Sequence, residues 1–291
     1  MANRVPEQLS VMAVHAHPDD EVFATGGMLA MYAEQGIHTI NVCCTGGEEG
    51  EIVDPALNTE DVRARLRDVR RAELEAAIRV LGVETLEYLG YRDSGMAGTE
   101  SNQNPESFHL ADMDEATGRL VRLIRKYRPH VLVSYDENGS YGHPDHIKAY
   151  QITGMAFAAA GDAARYPDAG EPWQPKKLYM CGRSVAQIDQ WRAMAEELDL
   201  DIPWLRTPPD PDAPPRGIAT ERITTRIDTV DFAERKLAAL RCHRTQIAPE
   251  FFLFNVKPEI VLRAFGDEEY VRVRTSVDAP LPERDLFAGL R

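Results

Sequence analysis

Two short segments gather the side chains able to do chemistry. HAHPDDE, His15 to Glu21, sets imidazoles beside three carboxylates, and DENGSYGHPDH, Asp136 to His146, repeats that mixture far along the chain. Imidazole nitrogens and carboxylate oxygens are ligands that zinc favours, and a catalytic zinc keeps three of them plus a water. His17, Asp20 and His146 supply such a set, with Asp19 left to accept a proton from the activated water. The spacing also admits a non-heme iron oxygenase, in which His17, Asp19 and His146 would form an HxD…H triad. A nucleotide-binding turn fits less well, because GxGxxG is missing and Asp19, Asp20 and Glu21 would face a pyrophosphate. Taken singly, these residues suit plain structural work: Asp19 can cap a helix, and Pro144–Asp145 is a good helix start. Taken together, two His- and Asp-rich turns argue for a site. His15 differs, since it lies inside an apolar run and is expected to pack behind the ligands rather than among them.

Whether the two clusters meet depends on the elements that carry them. Ser10–Ala16 (SVMAVHA) and His130–Tyr135 (HVLVSY) read as buried strands that end where the clusters begin. Thr39–Cys44, Thr85–Leu89, Leu178–Cys181 and Ile223–Ile227 are further strands. Helical stretches fall between them: one through Met28 to Gly36, a stripe of Val62, Leu66, Val69, Leu74, Ile78 and Leu81 ended by Gly82, then Ala116–Tyr127. A helix should begin near Pro144, another carries a Ser184/Gln187 capping box, and a last one runs through about Cys242. This alternation predicts an α/β fold with a Rossmann-like, mostly parallel sheet, helices on both faces and a smaller C-terminal lobe. The expected division is a metallohydrolase core over residues 1–200. Residues 201–291 would add a proline-rich loop (Thr207–Gly217), a further strand and helix, and a lobe packed on the core. A 3-2-1-4-5 strand order would bring both clusters to one crevice.

The chain has 291 residues, and 33 Lys plus Arg stand against 47 Asp plus Glu, a net charge of −14 that repels phosphate backbones and anionic membranes. No apolar run approaches the roughly 20 residues of a membrane helix, and the first residues lack a signal-peptide core, so a cytoplasmic protein is expected. Cys43, Cys44, Cys181 and Cys242 form no CxxC pair and are expected to be reduced, the first two as small core hydrophobes.

HPDDE near the N-terminus with HPDH after a later strand resembles the zinc-dependent N-deacetylases of the LmbE/PIG-L family. The likeness extends to TGGEEGEI (Thr45–Ile52), RRAEL (Arg70–Leu74), RDSG (Arg92–Gly95), YDEN (Tyr135–Asn138), DAGEPW (Asp168–Trp173), RCHRTQI (Arg241–Ile247) and the closing LFAGL. It implies His17, Asp20 and His146 as ligands of zinc, or of iron(II), and Asp19 as general base, which resolves the choice between the two aspartates. It further implies His143 as the imidazolium that stabilises the oxyanion and protonates the leaving amine, Asp145 as the group that orients it, and Tyr141 as an aid at the carbonyl oxygen. Arg71, Asp93 and Glu51 match positions that hold sugar hydroxyls. The expected substrate is an N-acylglucosamine-containing small molecule such as N-acetylglucosaminyl-inositol or a mycothiol S-conjugate. No nucleic acid or membrane partner is expected, and a homo-oligomer is compatible with the family.

Overall fold

A strand buried along its whole length needs cover on both faces, and Ser10–His15 (β1) is such a strand. It pairs in parallel with His38–Thr45 (β2) on one side and Val131–Ser134 (β4) on the other. Thr85–Tyr91 (β3) lies outside β2, and Lys177–Cys181 (β5) lies outside β4, all parallel. Thr225–Asp228 (β6) and Asp267–Thr275 (β7) complete a seven-stranded sheet in the order β3-β2-β1-β4-β5-β7-β6, with β7 antiparallel to both neighbours. This computed structural model describes residues 8–200, 202, 205 and 217–291. The expected Thr207–Gly217 loop therefore lies outside the described residues except for Gly217.

Helices among the described residues are Asp20–Glu34 (α1), Glu60–Ala64 (α2), Leu66–Leu81 (α3), Met113–Tyr127 (α4), Gly139–Gly142 (α5), Pro144–Ala159 (α6), Val185–Glu197 (α7), Ala233–Leu240 (α8) and Pro258–Phe265 (α9). They cover both faces. Val11 and Ala13 point into a core built with α1, α3, α7, α8 and α9, while Met12 and Val14 point into a second core built with α4 and α6. That split is the period-two alternation of a strand.

The expected parallel arrangement and 3-2-1-4-5 order are found, and the registers Ala13↔Val133 and His15↔Cys43 bring the strand ends level. The loops leaving β1 and β4 consequently open side by side, at the carboxyl ends of the strands. The single stripe expected from Val62 to Leu81 is broken at Arg65, and the buried face of α3 runs through Leu66, Arg70, Leu74, Ala77 and Leu81. β7 escapes sequence reading because DEEYVRVRT alternates charge with apolar residues and is only half covered. Ser184 caps α7 through Gln187 N at 3.1 Å, while Gln187 turns its amide to Asp267 O instead of closing the box. The cysteines are free, with Cys43, Cys44 and Cys181 buried. Among the described residues no helix is long and apolar enough to cross a membrane.

Candidate active site

His17 leaves β1 and His146 sits in the first turn of α6, yet His17 Nδ1 and His146 Nε2 are 3.2 Å apart. Asp20 Oδ2 lies 3.4 Å from each of those nitrogens. A tetrahedral ion with bonds of about 2.05 Å holds its ligand atoms roughly 3.3 Å apart, so the three atoms have the spacing of one face of a zinc site. The donor chemistry fits as well. His17 turns Nε2 to the Asp145 carboxylate at 3.1 Å, and a carboxylate can only accept, so Nδ1 keeps its lone pair for an ion. Tyr135 OH donates to Asp20 Oδ2 at 2.7 Å, and His17 N donates to the same oxygen at 2.8 Å. Burial alone would raise the Asp20 carboxyl, but His146 and His17 overcome it and hold it well below the carboxylate range. Burial would likewise lower His17, and Asp93, Asp145 and Asp20 instead hold it well above its usual value, so that binding an ion at Nδ1 must release a proton. His143 also lies with His17 and His146 inside a 4.8 Å group of ligating atoms.

Asp19, the next residue, is in a different state. Burial pushes its carboxyl up to about 6, Arg70 opposes that push, and Asp20 adds to it. Its backbone is in the left-handed region, φ 117°, where an aspartate persists only when its surroundings over-determine it. Three groups do so. Asp19 N donates to Glu21 Oε2 at 2.9 Å, and Glu21 Oε1 pairs with His243 at 2.8 Å, both side chains being fully buried. Arg70 donates to Pro18 O at 2.6 Å and stands 3.3 Å from Asp19 Oδ2. Arg70 also donates to Gly47 O, and a Cβ at Gly47 would run into its guanidinium.

On the β4 side the geometry is local. Pro144 occupies the first turn of α6, and His143 Nδ1 accepts from Asp145 N at 3.2 Å. A Cβ on Gly139, φ 59°, would meet His146 Cβ at 2.7 Å, so the loop can close on α6 only with glycine there. Asp145 thus orients His143 through its backbone, while its carboxylate serves His17 and Ser94, accepting from Ser94 N at 2.9 Å and from Ser94 Oγ. Burial, then His17 and His146, push the His143 ring down to about 4 in the absence of an ion. A neutral ring with Nδ1 accepting carries its proton on Nε2. Tyr141 is exposed, its ring 5.0 Å from that of His146 and 6.1 Å from that of His143.

Of the residues expected to read a sugar, Asp93 is buried at the cluster, with Oδ1 3.4 Å from His17 Nε2. Its other oxygen accepts from Glu49 N at 3.2 Å. Arg71 does not reach the cluster. It is exposed, pairs with Glu75 at 3.2 Å and stacks over Tyr88, because it stands one residue off the buried face of α3. Arg70 takes the place expected of it. Helical phase carried that signal, since Arg70 falls four residues after Leu66 and four before Leu74. Glu51 is an exposed loop residue whose carbonyl accepts from Gln246 Nε2 at 3.1 Å. Sequence reading also missed Tyr135, Ser94 and Glu21, which contact Asp20, Asp145 and Asp19 directly, and His243, which reaches Asp19 through Glu21. His15 is buried as expected, 2.9 Å from Thr25 Oγ1.

Residues 12–157, which hold both clusters, match the family described as GlcNAc-PI de-N-acetylase, PIG-L. The chain belongs to the PIG-L family. This PIG-L chain is 42% identical over 294 positions to 1D-myo-inositol 2-acetamido-2-deoxy-alpha-D-glucopyranoside deacetylase 2 of Frankia alni, spanning 96% of this chain and 99% of that protein. It is 40% identical to the mycothiol S-conjugate amidase of Streptomyces coelicolor, spanning 98% of each. Deacetylases and amidases both cleave amide bonds, and this PIG-L member is an amide hydrolase. N,N'-diacetylchitobiose deacetylase of Pyrococcus horikoshii shares the fold, with a TM-score of 0.63 over 92% of this chain and 85% of that one at 20% identity.

Proposed function

We propose that the chain hydrolyses the amide of an N-acylglucosamine-containing small molecule, with zinc held by His17, Asp20 and His146. The observation that carries this reading is the 3.2 to 3.4 Å triangle of His17 Nδ1, Asp20 Oδ2 and His146 Nε2 beside a carboxyl, Asp19, pushed up to about 6. The placement of Asp20 in that triangle, with Asp19 turned to Arg70, supports the hydrolase ligand set over the HxD…H alternative. When bound, the ion would polarise the amide carbonyl and make water a nucleophile near neutral pH.

The protein's own groups do the rest. Asp19, ionised at neutral pH, takes the proton of the attacking water. His143 donates Nε2–H to the carbonyl oxygen as it gains charge, and the exposed Tyr141 hydroxyl can add a second donor there. An amine cannot leave as its anion, so a proton must reach the nitrogen. A carboxyl near 6 can both accept and return one, so Asp19 rather than the neutral His143 is the group suited to that transfer. Asp93 accepts from Glu49 N at Oδ2 and from Gly95 N at Oδ1, and the remaining lone pairs of its carboxylate can accept from a sugar hydroxyl.

The names of the relatives support N-acetylglucosaminyl-inositol and mycothiol S-conjugates as the substrates to try first. Metal content of the purified protein, followed by amine release from these two compounds and from free N-acetylglucosamine before and after chelation, tests the reading. Metal-dependent release from either conjugate, with free N-acetylglucosamine a poor substrate, is expected. Undiminished release from metal-free protein would overturn it.

A further inference from the structure

The Asp145 carboxylate that holds His17 Nε2 is itself held at both oxygens by Ser94. Ser94 N donates to Asp145 Oδ2 at 2.9 Å, and Ser94 Oγ donates to Asp145 Oδ1. Both residues are fully shielded from water, so no solvent can take the place of the hydroxyl at Oδ1. Donors on the two oxygens fix the plane of the carboxylate, and that plane sets the direction of the bond it accepts from His17 Nε2 at 3.1 Å. Nδ1 belongs to the same rigid ring, so the aim of its lone pair follows.

Ser94 also anchors the chain that follows it. Its Oγ accepts from His109 N at 3.0 Å, and its carbonyl accepts from Asn102 Nδ2 at 3.3 Å. His109 Nε2 donates to Asn102 O at 2.6 Å, which ties the two anchor points to each other. Thr99, Ser101 and Asn104, between those points, line a polar surface groove together with Glu49 and Arg92. A continuous run of hydrogen bonds thus leads from the segment 94–109 through Ser94 and Asp145 to a ring nitrogen of His17.

We infer that Ser94 is a positioning residue for the metal site, and that it couples ion binding to the order of the segment 94–109. This rests on the metal-site reading above and deepens it. Ser94 acts only through Asp145. With Nδ1 engaged by a cation, Nε2–H becomes a stronger donor to Asp145, and an Asp145 held more firmly in turn holds the amide and hydroxyl of Ser94. Linkage makes the effect mutual: if an ordered segment favours the ion, the ion must favour the ordered segment.

Two measurements on the full chain test this: zinc affinity by competition with a chelator, and amide hydrogen exchange with and without saturating zinc. Ser94→Ala should bind zinc about 10-fold more weakly than wild type, the lower end of what partners behind a ligand contribute. In wild type, zinc should slow exchange across residues 94–109, and in Ser94→Ala that slowing should vanish even at saturation. Ser94→Thr keeps the hydroxyl and should restore both readouts. An unchanged zinc affinity in Ser94→Ala, or a segment whose exchange ignores zinc in wild type, would overturn the role of Ser94 and leave the metal-site reading standing. Faster exchange throughout the sheet of metal-free Ser94→Ala would overturn it too, by making Ser94 a general support of the fold. Wild-type protein that binds no zinc would instead remove the metal-site reading, and the role of Ser94 with it.

Discussion

The loop after β1 and the loop after β4 carry similar residues and are held by different means. In the β4 loop, Pro144 at the start of α6, the Asp145 N–H on His143 and the glycine at 139 set the geometry within a dozen residues of chain. In the β1 loop, the adjacent Asp19 and Asp20 are pushed in opposite directions, and His146, Arg70 and His243 from distant elements join the local His17 and Glu21 in doing so. His146 and His17 lower Asp20, while burial, Arg70 from α3 and the Glu21–His243 pair define Asp19. A local loop can be built from capping and turn chemistry. Opposed shifts of two neighbouring carboxyls need a three-dimensional environment that differs within a few ångströms.

The severest way to break the comparison is to remove the ligand side. Asp20→Ala should lose the ion and with it nearly all amide hydrolysis, a loss of at least about 10³-fold, read by metal analysis and amine release together. Retained metal and activity would show that the triangle is not the site.

Asp19→Asn should keep the ion and lose roughly 10² to 10⁴ in kcat, because only the proton acceptor is gone. The wild-type profile sharpens this point. Asp19 must be ionised to act, so kcat/KM should fall as pH drops through about 6, or lower still, since an ion on Asp20 adds positive charge that favours the carboxylate. An acid limb that survives unchanged in Asp19→Asn would assign it to another group.

A smaller effect tests whether distant contacts govern the β1 loop. His243→Asn and Glu21→Gln should each lower kcat by about 10-fold with KM little changed and the ion retained, the usual worth of a group that orients a working residue. A matching loss of KM, or of metal, would make the pair a general support of the fold.

Least should happen at Arg71. Its exposed position predicts that Arg71→Ala stays within about twofold of wild type on a sugar amide, as surface substitutions usually do, whereas Arg70→Met should lower kcat substantially. Equal losses at both positions would contradict the phase of α3.

Much of the architecture was legible in the sequence. Apolar runs ending in His- and Asp-rich turns marked β1 and β4, and their alternation with helices implied the parallel order that sets those turns side by side. Local signals also served Ser184 and Pro144, where capping and proline rules act over a few residues. β7 was lost because its charged, half-covered alternation carries no core signal. Arg71 was taken for Arg70 because a dipeptide pattern does not state helical phase.

What the sequence by itself determined is the set of candidate ligating and proton-transferring residue types and the strand ends that present them, since both follow from short-range chemistry. The tertiary structure alone decided which carboxylate faces the imidazoles, where Asp145 sends its side chain, that His143 is pushed towards neutrality, and that α7 and α9 wall an apolar cavity beside the cluster. Protonation and cavity shape are sums over neighbours that lie far apart along the chain, and no local stretch of sequence contains those sums.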